Sequence, residues 1–186
     1  MLSYIMSWQK HWRDDKFVKK SKLEGKICRS YYKLLEINER FHLIGKKSIN
    51  ILELGGSPGG WSQYIKEVNP SIHLTALDLI PNKITVDKFL LQSIFSPIEG
   101  ENYNLLLSDI APNLTGEFVV DASNMEKIIK RIIEIFPLLE KRSHIAIKTF
   151  GPVQELYKFF RRHKYFKPLS SHKNSNEIYF IGISLI

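Results

Sequence analysis

Ile51-Leu52-Glu53-Leu54-Gly55-Gly56-Ser57-Pro58-Gly59-Gly60-Trp61 is a short apolar run, a glycine-rich turn and the opening of a helix. Glycines let the backbone pass close to a ligand, and the free N–H groups at a helix start offer it hydrogen bonds. The next apolar run carries Asp78 at its end, where a carboxylate can accept hydrogen bonds from both hydroxyls of a ribose. Together these features predict a nucleoside cofactor site. The dinucleotide spacing G-x-G-x-x-G fails, because its second glycine would fall on Ser57. The phosphate loop of nucleotide hydrolases fails too. Gly45-Lys46 is followed by Lys47 instead of a hydroxyl residue, and that motif's first glycine would fall on Arg40.

Outward from this turn, apolar runs at 49–54, 72–79, 105–108 and 144–150 read as buried strands. Tyr31, Leu34, Leu35, Ile37 and Phe41 recur at helical spacing and predict a helix that starts near Ser30. A second helix opens after Pro58. A long one is expected over about 122–140, with Met125, Ile128, Ile129, Ile132, Ile133 and Ile135 on its apolar side. A helix near 153–162, a β-like stretch at 165–169 and a terminal strand over 177–185 complete the pattern. Alternating strands and helices predict an α/β fold whose mostly parallel sheet is covered on both faces.

The 186 residues suffice for one domain with a sizeable core, since chains of this size bury roughly 70% of their unfolded surface. The expectation is a single domain over 1–186, with a basic arm over 1–28. The lone Cys28 excludes an internal disulfide and a cysteine-rich metal site, so a reducing cytoplasm is the expected compartment. No apolar run approaches the roughly 20 residues of a membrane span, and the first residues lack the pattern of a secretory signal. The six histidines form no metal-spaced cluster, so no metal is expected.

A net charge of +8 favours an anionic partner, nucleic acid ahead of membrane. The charge is concentrated in the arm and just after it. Lys10, Arg13, Lys16, Lys19, Lys20, Lys22, Lys26, Arg29 and Lys33 face only Asp14, Asp15 and Glu24. Trp8, Trp12, Phe17, Tyr31 and Tyr32 are interleaved with these cations, which predicts a phosphate-tracking surface with rings for base stacking.

Several segments, in order, resemble the FtsJ-type ribose 2′-O-methyltransferases. They are Trp8-Gln9, Arg29-Ser30-Tyr31-Tyr32-Lys33-Leu34, Gly59-Gly60-Trp61-Ser62-Gln63-Tyr64, Asp78-Leu79-Ile80-Pro81 and Ser108-Asp109-Ile110-Ala111-Pro112-Asn113, with Lys148 and Glu177 beyond them. The likeness spans nearly the whole chain. It implies a Rossmann-like class I fold: a mostly parallel seven-stranded sheet, helices on both faces and an antiparallel last strand. It also implies S-adenosylmethionine as methyl donor and RNA as acceptor, with a uridine of large-subunit ribosomal RNA as the expected target. Transfer RNA or an mRNA cap is the alternative acceptor. A non-catalytic RNA-binding protein on the same scaffold is the alternative from another class.

By the same resemblance the catalytic tetrad falls on Lys33, Asp109, Lys148 and Glu177. The cofactor contacts fall on Gly55, Gly56, Ser57, Pro58, Gly59, Gly60, Trp61, Asp78, Leu79, Ser93 and Asp109. Ser93 departs from the family, which usually has an aspartate there against the adenine, and weaker cofactor binding is expected. The residues themselves support convergence, because Asp109 and Lys148 end apolar runs that should be parallel strands, at whose carboxyl ends ligands bind. Glu177 joins them if the last strand is antiparallel. Lys148 is the candidate general base, and for that role its pKa must fall from about 10.4 toward neutrality, by about 4 kcal/mol. Lys33 and a cofactor sulfonium would push it down, while Asp109 and Glu177 oppose the shift.

Overall fold

Strands buried on both faces lose the in–out alternation of an exposed strand, and the computed structural model shows how each residue is used. It describes residues 15–47, 49–100, 102–113 and 115–186. The sheet comprises β1 (Asn50–Leu54), β2 (His73–Asp78), β3 (Lys88–Leu91), β4 (Tyr103–Ser108), β5 (Leu139–Thr149), β6 (Phe160–Phe166) and β7 (Ile178–Leu185). These seven strands take the order β3-β2-β1-β4-β5-β7-β6. β1 to β5 pair in parallel, and β7 runs antiparallel to both β5 and β6.

Two apolar layers lie against the sheet. Leu52, Leu54, Leu106, Ile145 and Ile147 face Ile128, Ile129 and Ile132 of α4 (Phe118–Ile135). Ile51, Leu105, Leu107, Ala146, Tyr179 and Ile181 face the other way. They meet Leu34 and Ile37 of α2 (Ser30–Phe41) and Trp61 and Ile65 of α3 (Gly60–Val68). Each fully buried aliphatic side chain in these layers contributes about 1.5–3 kcal/mol.

Two expected boundaries move. The helix expected over 122–140 runs over Phe118–Ile135, a 3-10 turn with Pro137 follows, and β5 begins at Leu139. Proline cannot donate to the helical ladder, and Leu139 pairs instead with Tyr103. The helix expected near 153–162 shrinks to a 3-10 helix over Gln154–Phe159, because residues from Phe160 pair with β7. Its apolar spacing read as helical, but cross-strand pairing decided the outcome.

Residues 1–14, and with them Lys10, Arg13, Trp8 and Trp12, lie outside the described residues. The rest of the basic arm holds α1 (Lys16–Leu23), capped by Asp15, whose carboxylate accepts from the Phe17 and Val18 amides. Asp15 also pairs with Arg29, and Lys26 pairs with Glu67 of α3 at 2.7 Å. Among the described residues, the rings expected to stack on bases are otherwise engaged. Tyr31 and Tyr32 are buried, and Phe17 packs 5.6 Å from the Tyr32 ring. Their spacing on α2 places them against α1 and α3, where apolar burial outweighs any role on the surface.

Candidate active site

The carboxyl ends of β1, β2 and β4 enclose a cavity of about 390 Å³. The glycine turn forms its floor. Gly55 has φ of 84°, and a Cβ there would lie 2.8 Å from the Ile110 side chain. The Gly55 and Gly56 amides donate to the Leu77 carbonyl at 2.8 and 3.0 Å, tying the turn to β2. Gly59, at φ of 117°, starts α3 where any side chain would run into Asn82.

Asp78 accepts from the Ser57 amide at 2.9 Å and from the Ile80 amide at 3.1 Å, one on each carboxylate oxygen. Each oxygen keeps a second lone pair for a ligand hydroxyl. Of the expected cofactor residues, Gly55, Gly56, Ser57, Gly60, Trp61, Asp78, Leu79, Ser93 and Asp109 line the cavity. Pro58 and Gly59 do not; they turn the chain behind it. Trp61 is largely a strut, its Nε1 donating to the Ser30 carbonyl at 2.9 Å.

Several lining residues escaped the sequence reading. Ile94 and Phe95, beside Ser93, and Ile128 of α4 offer apolar walls. Phe95 is 58% exposed, unusual for so large a ring, and that is the one signal it carries. Ser93 itself accepts from the Phe95 amide at 3.2 Å. Glu53, on β1 beneath the turn, accepts from Ser62 at 2.5 Å, and Ser62 accepts from Asn82 at 2.7 Å. Burial, with the Asp109 and Asp78 charges adding to it against the Ser62 hydrogen bond, pushes the Glu53 carboxyl up to about 8.

At the rim of this cavity Asp109 meets the other tetrad residues. Lys148 Nζ lies 2.9 Å from Asp109 Oδ1, 2.8 Å from the Asp109 carbonyl oxygen and 3.3 Å from Glu177 Oε2. Lys33 Nζ lies 2.9 Å from the Glu177 carboxylate and 3.6 Å from Asp109 Oδ1. The antiparallel β7 makes this possible: Lys148 pairs with Tyr179, so Glu177 arrives at the same edge of the sheet. Tyr179, missing from the sequence reading, donates to Asp109 Oδ1 at 2.5 Å. Its position two residues after Glu177 was the available signal, since alternate strand residues share a face.

Two ammonium groups and two carboxylates thus form a buried, charge-balanced cluster. Burial alone would raise the Asp109 carboxyl, but Lys148 and Lys33 hold it below its ordinary value. Glu177 is also lowered: burial and the Asp109 charge oppose the shift, and the two lysines outweigh them. Lys148 differs from the expectation. Burial favours its neutral form, yet the Asp109 and Glu177 carboxylates outweigh it and raise the pKa above the ordinary lysine value. Two anions within about 3.3 Å stabilise the ammonium more than desolvation penalises it.

Among the described residues no group of three or more His, Cys, Asp or Glu side chains could hold a metal ion. Nor is any described helix long and apolar enough to cross a membrane.

Sheet order and site together define a Rossmann-like methyltransferase. The chain belongs to the FtsJ-like methyltransferase family, whose model matches residues 27–185. It is 37% identical over 188 residues to a protein of Borrelia garinii subsp. bavariensis named ribosomal RNA large subunit methyltransferase E, covering 91% of this chain and 96% of that one. A Coxiella burnetii protein of the same name is 32% identical over 203 residues, covering 97% and 95%. Among solved structures, a ribosomal RNA methyltransferase from Plasmodium falciparum superposes with a TM-score of 0.73 at 20% identity, covering 84% of this chain and 97% of that one. That superposition bears on the fold alone.

Proposed function

We propose that the protein transfers a methyl group from S-adenosylmethionine to a ribose 2′-hydroxyl of large-subunit ribosomal RNA, with Lys33, Asp109, Lys148 and Glu177 as its catalytic residues. The observation that carries this reading is the buried Lys-Asp-Lys-Glu cluster opening, through Asp109, onto a glycine-floored cavity. The names of the two relatives support ribosomal RNA as the substrate.

The cavity suits the donor. Gly55, Gly56 and Gly60 line it with backbone alone, Asp78 has free lone pairs for ribose hydroxyls, and Leu79, Ile94 and Phe95 offer apolar surface for a purine. S-adenosylmethionine, when bound, supplies an electrophilic methyl group on a cationic sulfur. The chain's own residues then have a positional task and a protonic one. Lys33 and Glu177 brace the far side of the cluster. Asp109, held by Tyr179, orients Lys148 Nζ toward the entering hydroxyl. In the resting cluster Lys148 Nζ is an ammonium that donates to the Asp109 carbonyl and lies 2.9 and 3.3 Å from the Asp109 and Glu177 carboxylates. An ammonium has no lone pair, so the fraction of Lys148 that has first released a proton to solvent is the one that takes the 2′-hydroxyl proton.

The exposed cations of α1 supply phosphate contacts in this reading, with Lys10 and Arg13 of the preceding sequence adding charge. Incubation with tritiated S-adenosylmethionine and unmodified large ribosomal subunits, free ribosomal RNA or transfer RNA tests it. Label is expected as a 2′-O-methyl nucleotide in ribosomal RNA, and Lys148→Ala should lower it by about 100-fold or more. Label confined to transfer RNA would redirect the substrate. Near-normal turnover by Lys148→Ala would remove that residue as the base.

A further inference from the structure

We infer that Glu36 and Ser171 are positioning residues that set Glu177 through the loop joining β6 to β7, an inference that rests on the tetrad reading above. Residues 167–177 contain neither helix nor strand, yet they deliver Glu177 to the cluster. Something other than secondary structure must therefore hold them.

Glu36 lies one helical turn beyond Lys33 on α2, so both side chains leave the same face of that helix. One carboxylate oxygen of Glu36 accepts from the Leu169 amide at 2.5 Å, and the other accepts from the Ser170 amide at 3.0 Å. The next residue, Ser171, donates its hydroxyl to Glu177 Oε1 at 2.7 Å. Ser171 is itself buried, and its amide closes a turn onto the Pro168 carbonyl. At the base of the loop, Lys167 Nζ donates to the Ser175 and Lys173 carbonyls at 2.7 and 3.3 Å.

Apolar packing does not explain where Leu169 sits, because its side chain is 81% exposed. Nor does the Ser170 hydroxyl, which is buried without a hydrogen-bond partner. The two amides gripped by Glu36, beside the buried Pro168, fix this part of the loop. One helix thus supplies the ammonium that pairs with Glu177 and the carboxylate that holds the loop carrying Glu177. The carboxylate fork needs both of its oxygens. A glutamine would keep one acceptor and set an NH₂ group against the other amide.

A side chain that only stabilised the loop would act independently of Glu177, whereas one that acts through Glu177 must fall silent when Glu177 is removed. The test is a double-mutant cycle on the full chain, with S-adenosylmethionine and large-subunit ribosomal RNA as substrates. The variants are Glu36→Gln, Ser171→Ala and Glu177→Ala, alone and combined. Glu36→Gln and Ser171→Ala are each expected to lower kcat about tenfold with the KM for S-adenosylmethionine unchanged. In the Glu177→Ala background each should add less than about twofold, and Ser171→Thr, which keeps the hydroxyl, should recover most of the loss.

Full multiplication of the losses in the double variants would overturn the inference. So would wild-type kcat in both single variants while Glu177→Ala is impaired. Wild-type kcat in Glu177→Ala would instead overturn the tetrad reading, and this inference with it. Should Glu36→Gln fail to fold, Ser171→Ala removes a single oxygen and carries the cycle alone.

Discussion

Lys148 is held as an ammonium by the groups that orient it. It donates to the Asp109 carbonyl and lies 2.9 and 3.3 Å from the Asp109 and Glu177 carboxylates, so its surroundings favour the charged form. The pKa is raised, and the neutral fraction of Lys148, the proposed base, is small at neutral pH and grows tenfold with each pH unit. Single-turnover rates measured with saturating cofactor and RNA should therefore climb about tenfold per pH unit between about pH 7 and 9. A flat profile over that range would mean that the proton leaves by another route. Lowering Lys148 toward neutrality, as the proposed chemistry suggests, would need its attraction to Asp109, and then to Glu177, to weaken.

Between elements, Glu53 couples β1 to α3 and to the turn after β2. It is wholly buried, and its hydrogen bond from Ser62 extends to Asn82, against which Gly59 is packed. Its carboxyl is neutral in the folded protein up to about pH 8, whereas the unfolded chain ionises it near the ordinary value of 4.5. A folded-state pKa that is raised means stability present below the unfolded pKa and lost as pH rises through the folded one. The loss over that window is about 5 kcal/mol. Glu53→Gln keeps an acceptor for Ser62 and does not titrate. Its melting temperature relative to the wild type should rise by about 10 °C between pH 5 and pH 9 in thermal scans. Parallel curves for the two proteins would show that Glu53 is not titrating in this window.

Across the whole molecule, the reversal of one strand assembles the site. β1, β2 and β4 point their carboxyl ends at the cavity, β5 ends beside it with Lys148 on Asp109, and antiparallel β7 brings the residue before its start to the same edge. Charge is distributed at this scale too: the chain carries +8, and α1 presents exposed Lys16 and Lys22 from a helix whose single ring, Phe17, packs against Tyr32. RNA affinity should fall with salt, by a logarithmic slope of about 0.9 per phosphate contact on duplex and about 0.7 on single strands. Replacing Lys16 and Lys22 by alanine should flatten that slope by about 1.4 to 1.8 without changing affinity for S-adenosylmethionine. An unchanged slope in filter-binding titrations from 50 to 200 mM salt, about the range over which the effect is large, would place the RNA on another surface.

By itself the sequence determined what depends on short stretches of chain. The turn from Gly55 to Gly60, the acid ending β2, the Ser108-Asp109 corner and the helix bearing Lys33 each carry their requirement in residue type and local spacing. The tertiary structure alone decided what depends on distance between remote segments. Pairing with β7 made a strand of residues whose spacing read as helical, and packing between α1, α2 and α3 buried Tyr31 and Tyr32. Contacts across the chain brought Tyr179 to Asp109 and Glu36 to the loop before Glu177. The charge on Lys148 belongs with these, since a pKa answers to the groups within a few ångströms, and here those groups come from two remote segments, one just after β4 and one just before β7.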